Sequence, residues 1–197
     1  MQRFALATLA AAALAAALPA QAHEQVYAAS LLASSEIPAA ASPGSGWAMV
    51  TMDFDLLTMR VEVSFADLIG NTTASHIHCC TVTPGSANVG VATVTPTFTG
   101  FPLGVHAGTY DHTFDMSLAG SYNAAFVTAN GGTVGSAFNA LVAGLNSGNA
   151  YLNVHSSSFP GGEIRALLVP VPEPETYALM LSGLGVLALV ARRRRQD

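Results

Sequence analysis

The chain has 197 residues, 51% of them hydrophobic and only 10% charged, and its formal net charge is −5. That length suits one domain of ordinary size, and with the two apolar ends set apart about 150 residues remain, enough to bury a single core. Between His23 and Pro172 nine acidic residues stand against Arg60 and Arg165, and the chain has no lysine at all. Such a balance argues against nucleic acid as a partner.

At the amino end, Arg3 precedes an apolar run from Leu6 to Leu18, and Ala20-Gln21-Ala22 follows as a small-x-small site. This order predicts a signal peptide over residues 1–22, cut between Ala22 and His23. Read instead as a spanning helix, the run is short for a bilayer. Export places the remaining chain in an oxidising compartment.

The mature chain reads mainly as strands. Glu24 to Ala33 is an opening strand of mixed pattern, and Ile37 to Gly46 is a loop by its Pro, Ser and Gly content. Trp47 to Phe54 predicts a second strand. From Leu57 to Phe65 every odd position is apolar and every even one polar, the period of a strand with one buried and one wet face. Together these two make a hairpin in an antiparallel sheet, which favours a β-sandwich over a parallel design. Asn88 to Val94 is another β-rich run, Pro96 to Gly108 a broken loop, and Thr109 to Met116 a further short strand. Ser117 to Asn130 and Thr133 to Leu145 carry Ala, Leu and Phe at helical spacing and predict one or two short helices. Ala150 to His155 and Glu163 to Val169 form a closing pair around a Ser/Pro/Gly turn. Glu163 and Arg165 share a strand face by spacing, which predicts an ion pair between them.

Histidine carries the candidate chemistry. In Ala74-Ser75-His76-Ile77-His78 strand geometry points His76 and His78 to one face and Ile77 to the other. His155, from a strand that can lie alongside, brings a third imidazole, and neutral imidazole is a common ligand for zinc or copper. The alternative is a polar sheet face on which His76, His78, Asn153 and His155 hydrogen-bond to one another or to backbone. His-x-His on a β-sandwich also invites comparison with copper/zinc superoxide dismutase, on fold and dipeptide alone. His106 and His112 read as solvated, and His23 at a mature amino terminus offers copper an amine and a ring. Cys79 and Cys80 are the only cysteines, leaving a vicinal disulfide, a bridge between chains, or thiolates added to a metal site beside His78. Asn71-Thr72-Thr73 reads as a turn. Neither a nucleophile elbow, a phosphate loop nor a paired-carboxylate motif occurs, so no enzyme is expected. Trp47, the sole tryptophan, is the only support for a carbohydrate-binding module.

Ala74-Ser75-His76-Ile77-His78, followed downstream by Tyr151-Leu152-Asn153-Val154-His155 and Pro160-Gly161-Gly162-Glu163-Ile164-Arg165, resembles the CHRD (chordin-type) domain. Ser35-Glu36-Ile37-Pro38 resembles that family's opening segment, and the likeness runs from about Gln25 to Val169. Many members have a glycine after the second histidine, where this chain has Cys79-Cys80. The resemblance implies an immunoglobulin-like antiparallel β-sandwich over residues 23–169 and extracellular placement, without a settled activity.

The tail, residues 170–197, resembles the PEP-CTERM sorting signal. Pro172-Glu173-Pro174 is the tripeptide, residues 177–191 an apolar segment read as a transmembrane helix, and Arg192, Arg193, Arg194 and Arg195 the stop that holds its end in the cytoplasm. At 1.5 Å per residue such a helix reaches about 22 Å against a hydrocarbon core of about 30 Å, a marginal anchor suited to a transient handle. The resemblance implies cutting near Pro-Glu-Pro by an exosortase, a membrane-embedded cysteine transpeptidase, after passage through the secretion machinery. The expectation is an inner-membrane intermediate, then an outer-envelope or matrix protein of structural or adhesive role, in contact with exopolysaccharide. The rival is a metal-binding or redox protein using His76, His78 and His155.

Overall fold

A computed structural model describes residues 23–172, together with residues 181, 183 and 184. The expected signal peptide, Glu173 and Pro174 of the tripeptide, the bulk of the apolar segment and the four arginines lie outside the described residues. No helix among those described is long and apolar enough to cross a membrane.

Eight strands form one antiparallel sheet: β1 (Glu24–Leu32), β2 (Ser45–Asp53), β3 (Thr58–Ala66), β4 (Thr72–His78), β5 (Gly108–Asp115), β6 (Tyr151–Ser156), β7 (Ile164–Leu167) and β8 (Val169–Pro170). The order across the sheet is β4-β6-β7-β1-β2-β3-β5, and β8 pairs with β1. The sheet curls until its outer strands enclose a single core, so the mainly β, sandwich-like expectation is met by one continuous hydrogen-bonded sheet. The alternation in β3 is realised as expected: Met59, Val61, Val63 and Phe65 are buried while Arg60 is exposed. In register with it, Ala48, Val50 and Met52 of β2 and Tyr27 and Leu31 of β1 continue the inner face.

The curl is held shut by the loop between β4 and β5. The Phe98 amide donates to Ser75 O on β4 at 3.0 Å, and its ring packs 5.9 Å from Tyr110 and 5.5 Å from Phe114 on β5. One buried phenylalanine therefore joins the two terminal strands of the sheet. Asn88 to Val94, expected as β-rich, makes only isolated bridges at Val91 and Thr93. Its backbone instead lies along the outer edge of β4, where Ala92 N–H donates to Ile77 O and Cys79 N–H to Gly90 O. That edge is thereby covered rather than left open to pairing with another chain.

Two helices follow as expected, α1 (Ala124–Ala129) and α2 (Val134–Asn146). Asn123 caps α1 through its side chain, and Thr133 with Ser136 forms a capping box on α2. Ala137, Leu141 and Leu145 close the core, and Tyr27 donates its hydroxyl to Asn146 Oδ1 at 2.6 Å.

Candidate metal centre on paired strands

Strands β4 and β6 pair so that His76 stands opposite Asn153, His78 opposite Tyr151 and His155 opposite Ala74. Because side chains alternate, the inner face takes Ile77, Leu152 and Val154, all fully buried, and the outer face takes His76, His78, Tyr151, Asn153 and His155. An outer face would ordinarily be wet. Here His76, His78, Tyr151 and Asn153 are nevertheless buried, because the segments around Ile37, Val89, Pro96 and Pro160 fold over them.

Those covering segments fix each imidazole by one nitrogen. His76 Nε2 donates to Pro96 O, His78 Nδ1 to Val89 O at 2.7 Å, and His155 Nδ1 to Pro160 O at 2.8 Å. A ring nitrogen that donates to a carbonyl leaves the other as a bare lone pair in the neutral ring. His76 Nδ1, His78 Nε2 and His155 Nε2 are all buried with no hydrogen-bond partner, and so is Asn153 Oδ1. One ligand atom from each histidine lies within 4.8 Å of the others. The structure thus brings together all three histidines that the sequence singled out.

Burial keeps the His76 and His78 rings neutral. Burial, the largest influence, pushes the His76 imidazolium below its usual range, and it lowers His78 to about 4. Ligating histidines in proteins typically donate their second nitrogen to a carbonyl or carboxylate, which is the arrangement found here at all three rings. At a metal–nitrogen length of about 2.0–2.1 Å, three ligands around one ion sit about 3.5 Å apart, so the rings need close by only about 1 Å to hold zinc or copper.

A buried ion pair borders the cluster. Arg165, opposite Asn153 on β7, reaches Glu36 Oε2 with Nη2 at 2.7 Å and Nε at 3.0 Å. Its guanidinium lies 3.9 Å over the Tyr151 ring, which in turn stacks on His78 at 4.7 Å. The expected Glu163–Arg165 pair is overturned. Glu163 follows Gly162, whose φ of 128° breaks the strand, and its carboxylate accepts from Ser42 Oγ at 2.6 Å, Ser156 Oγ, and the amides of Ile69 and Gly70.

The remaining candidates lie elsewhere. Cys79 and Cys80 are bonded to each other and pack against Gly144 of α2, outside the histidine group. His106 is exposed, whereas His112 is half-buried between Tyr110 and Phe114, not simply solvated. The His23 ring packs at a tilt on Phe54, centroids 4.8 Å apart, and its backbone nitrogen meets Asp55 at 3.2 Å. Trp47 stands 46% exposed on β2. Glu36 as the partner of Arg165 escaped the sequence reading; its only signal was an acid placed between the apolar end of β1 and Ile37-Pro38.

Residues 27–168 match the CHRD domain family, and residues 170–195 match the PEP-CTERM protein-sorting motif, the signal of exported proteins processed at the membrane by an exosortase. No curated protein and no solved structure matches the chain. With the family match spanning the sheet, both helices and the histidine cluster, the chain belongs to the CHRD domain family.

Proposed function

We propose that this chain is an exosortase-delivered protein of the outer envelope or extracellular matrix whose CHRD domain holds one zinc or copper ion on His76, His78 and His155. The observation that carries the metal reading is the convergence of three buried, unpartnered ring nitrogens, each on a ring already anchored to backbone. Histidines serving only as polar filler would use those lone pairs on donors, because an unmet buried acceptor costs about 1–3 kcal/mol. A bound ion would tie β4 to β6 and, through the rings, to the segments of Val89, Pro96 and Pro160. That cross-linking suits a structural role in an exposed matrix, and no catalytic step is assigned to it.

The division into a leader over residues 1–22, a domain over 23–169 and a sorting tail over 170–197 is part of the same proposal. The mass of the protein recovered from the producing cell tests it. A start at His23 and an end near Pro172-Glu173-Pro174 are expected, with the Cys79–Cys80 bond protecting both sulfurs from alkylation until reductant is added. An intact tail on the recovered protein would contradict delivery by cleavage. For the metal, elemental analysis of the loaded and dialysed full-length chain should give about one ion per chain, lost in the His76→Ala, His78→Ala, His155→Ala triple variant. Equal metal in the two proteins, or none in the wild type, would remove the reading.

A second reading, adhesion to exopolysaccharide, draws support from Trp47, a large aromatic side chain exposed on β2. Glycan binding by the wild-type chain that Trp47→Ala abolishes is expected, and no glycan binding by the wild type would end it.

A further inference from the structure

The histidine centre contains no anionic donor. His76, His78 and His155 offer neutral nitrogens, and Asn153, directly across the ladder from His76, adds an unpartnered neutral amide oxygen, Oδ1; Glu36 Oε1 beside it is buried without a partner too, on a carboxylate whose other oxygen is held by Arg165. The other end of the Asn153 amide is turned toward Glu36: its nitrogen and Glu36 Oε1 lie on the same side of Gly162. Both groups crowd the space over Gly162, where a Cβ would overlap them. Asn153 is therefore held with its nitrogen toward a carboxylate and its oxygen left over.

Charge around the centre is cancelled as well. Glu36 is an acid beside Asn153, and its Oε2 is bound by the Arg165 guanidinium at 2.7 Å, with both side chains almost wholly buried. The cysteines lend no thiolate, because they are bonded to each other and face Gly144. An ion entering here keeps its full charge in a site that water does not reach. The cost of burying an ion grows with the square of its charge, so a divalent ion pays about four times as much as a monovalent one. Closed zinc sites usually meet that cost with thiolates, and open ones with a coordinated water or hydroxide. Imidazole serves copper as well as zinc, so with no charged ligand to offset a divalent ion the balance of burial favours the monovalent cuprous ion.

We infer that the centre selects cuprous copper over divalent zinc, with His76, His78 and His155 as its ligands, Asn153 Oδ1 as a weak fourth donor, and the Glu36–Arg165 pair keeping the surroundings neutral. This rests on the metal reading above. Arg165 acts as a specificity determinant without touching the ion: by occupying Glu36 it withholds the negative charge that would favour zinc.

The test is paired competition on the full-length chain in detergent. Bicinchoninate competes for copper held cuprous by ascorbate under nitrogen, a reductant that leaves the disulfide intact, and a chromophoric chelator competes for zinc. Cuprous copper should bind at least about a thousandfold more tightly than zinc, as the charge argument requires. Asn153→Asp, which keeps the shape and adds a charge, should narrow that ratio at least about tenfold, whereas Glu36→Gln, which leaves Arg165 uncompensated, should widen it. Either variant that folds provides the check. Zinc binding as tightly as copper, or a ratio unmoved in a folded variant, overturns the selectivity and leaves the metal centre standing. Binding of neither ion overturns both.

Discussion

His76 and Asn153 face each other across the β4–β6 ladder, and each carries a buried acceptor atom with no hydrogen-bond partner. Together with His78 Nε2 and His155 Nε2 they make four buried lone pairs on one face of the β4–β6 ladder, and the three histidines bring a ligand atom each within 4.8 Å of one another. A core would not ordinarily gather acceptors this way, since each unmet group is destabilising and none can satisfy another. A cation between the three rings resolves the histidine lone pairs at once.

Glu163 should make the fold acid-sensitive. Its burial works to raise the carboxyl, but the bonds from Ser156, Ser42, Ile69 N and Gly70 N outweigh burial and hold it below its ordinary value of 4.5. A carboxylate depressed in the fold contributes stability that is present above the unfolded value and lost as pH falls through the folded one. The urea midpoint of the wild type should therefore drop below about pH 4.5. Glu163→Gln, which weakens four hydrogen bonds to a charged group, should cost about 3 kcal/mol at pH 7 and flatten that acid limb. Parallel pH profiles for the two proteins would refute the assignment.

The ion pairs of Arg165 and Arg60 predict different outcomes. Arg165 is 1% exposed and neutralises Glu36, so Arg165→Ala strands a buried carboxylate and should cost about 3–5 kcal/mol. Arg60 also meets a carboxylate, that of Asp111 at 2.6 Å, but on the wet face of β3 and β5, where solvent screens the pair. Arg60→Ala should leave the midpoint of chemical unfolding within experimental scatter.

Gly144 and Gly135 lie on the same helix and should respond in opposite directions. A Cβ at Gly144 would overlap Cys79 Sγ and come within 2.6 Å of Cys80 Sγ, whereas one at Gly135 meets nothing within 4 Å. Gly144→Ala should destabilise by about 1–3 kcal/mol through overpacking. Gly135→Ala should stabilise by about 0.5–1 kcal/mol through helix propensity alone. Thermal unfolding of the two variants checks both signs.

These contrasts also mark what the chain reveals unaided. The strict alternation of β3 survives intact, because one of its faces is core and the other solvent. The pairing of His76 with His78 follows from the same period of two, and His155 joins them because β6 runs antiparallel beside β4. Local pattern fails where long-range contacts decide. Asn88 to Val94 has strand-like residues, yet it covers the edge of β4 with isolated bridges in place of a regular ladder. Arg165 finds its acid 129 positions away at Glu36, and the nearer Glu163 is turned aside by the Gly162 break. The burial of a nominally outer sheet face was equally hidden, since it comes from loops whose carbonyls hold the rings. His112 shows the same thing in reverse: its strand is legible, but the flanking Tyr110 and Phe114 rings that shelter it depend on the curl of the sheet.

The central claim is that His76, His78 and His155 together hold one metal ion, and X-ray absorption at the metal edge of the loaded full-length chain tests it most directly. The account predicts a first shell of three imidazole nitrogens at about 2.0 Å, with outer-shell scattering from the rings and no sulfur. A shell without imidazole scattering, a sulfur ligand, or a chain that retains no metal would contradict it.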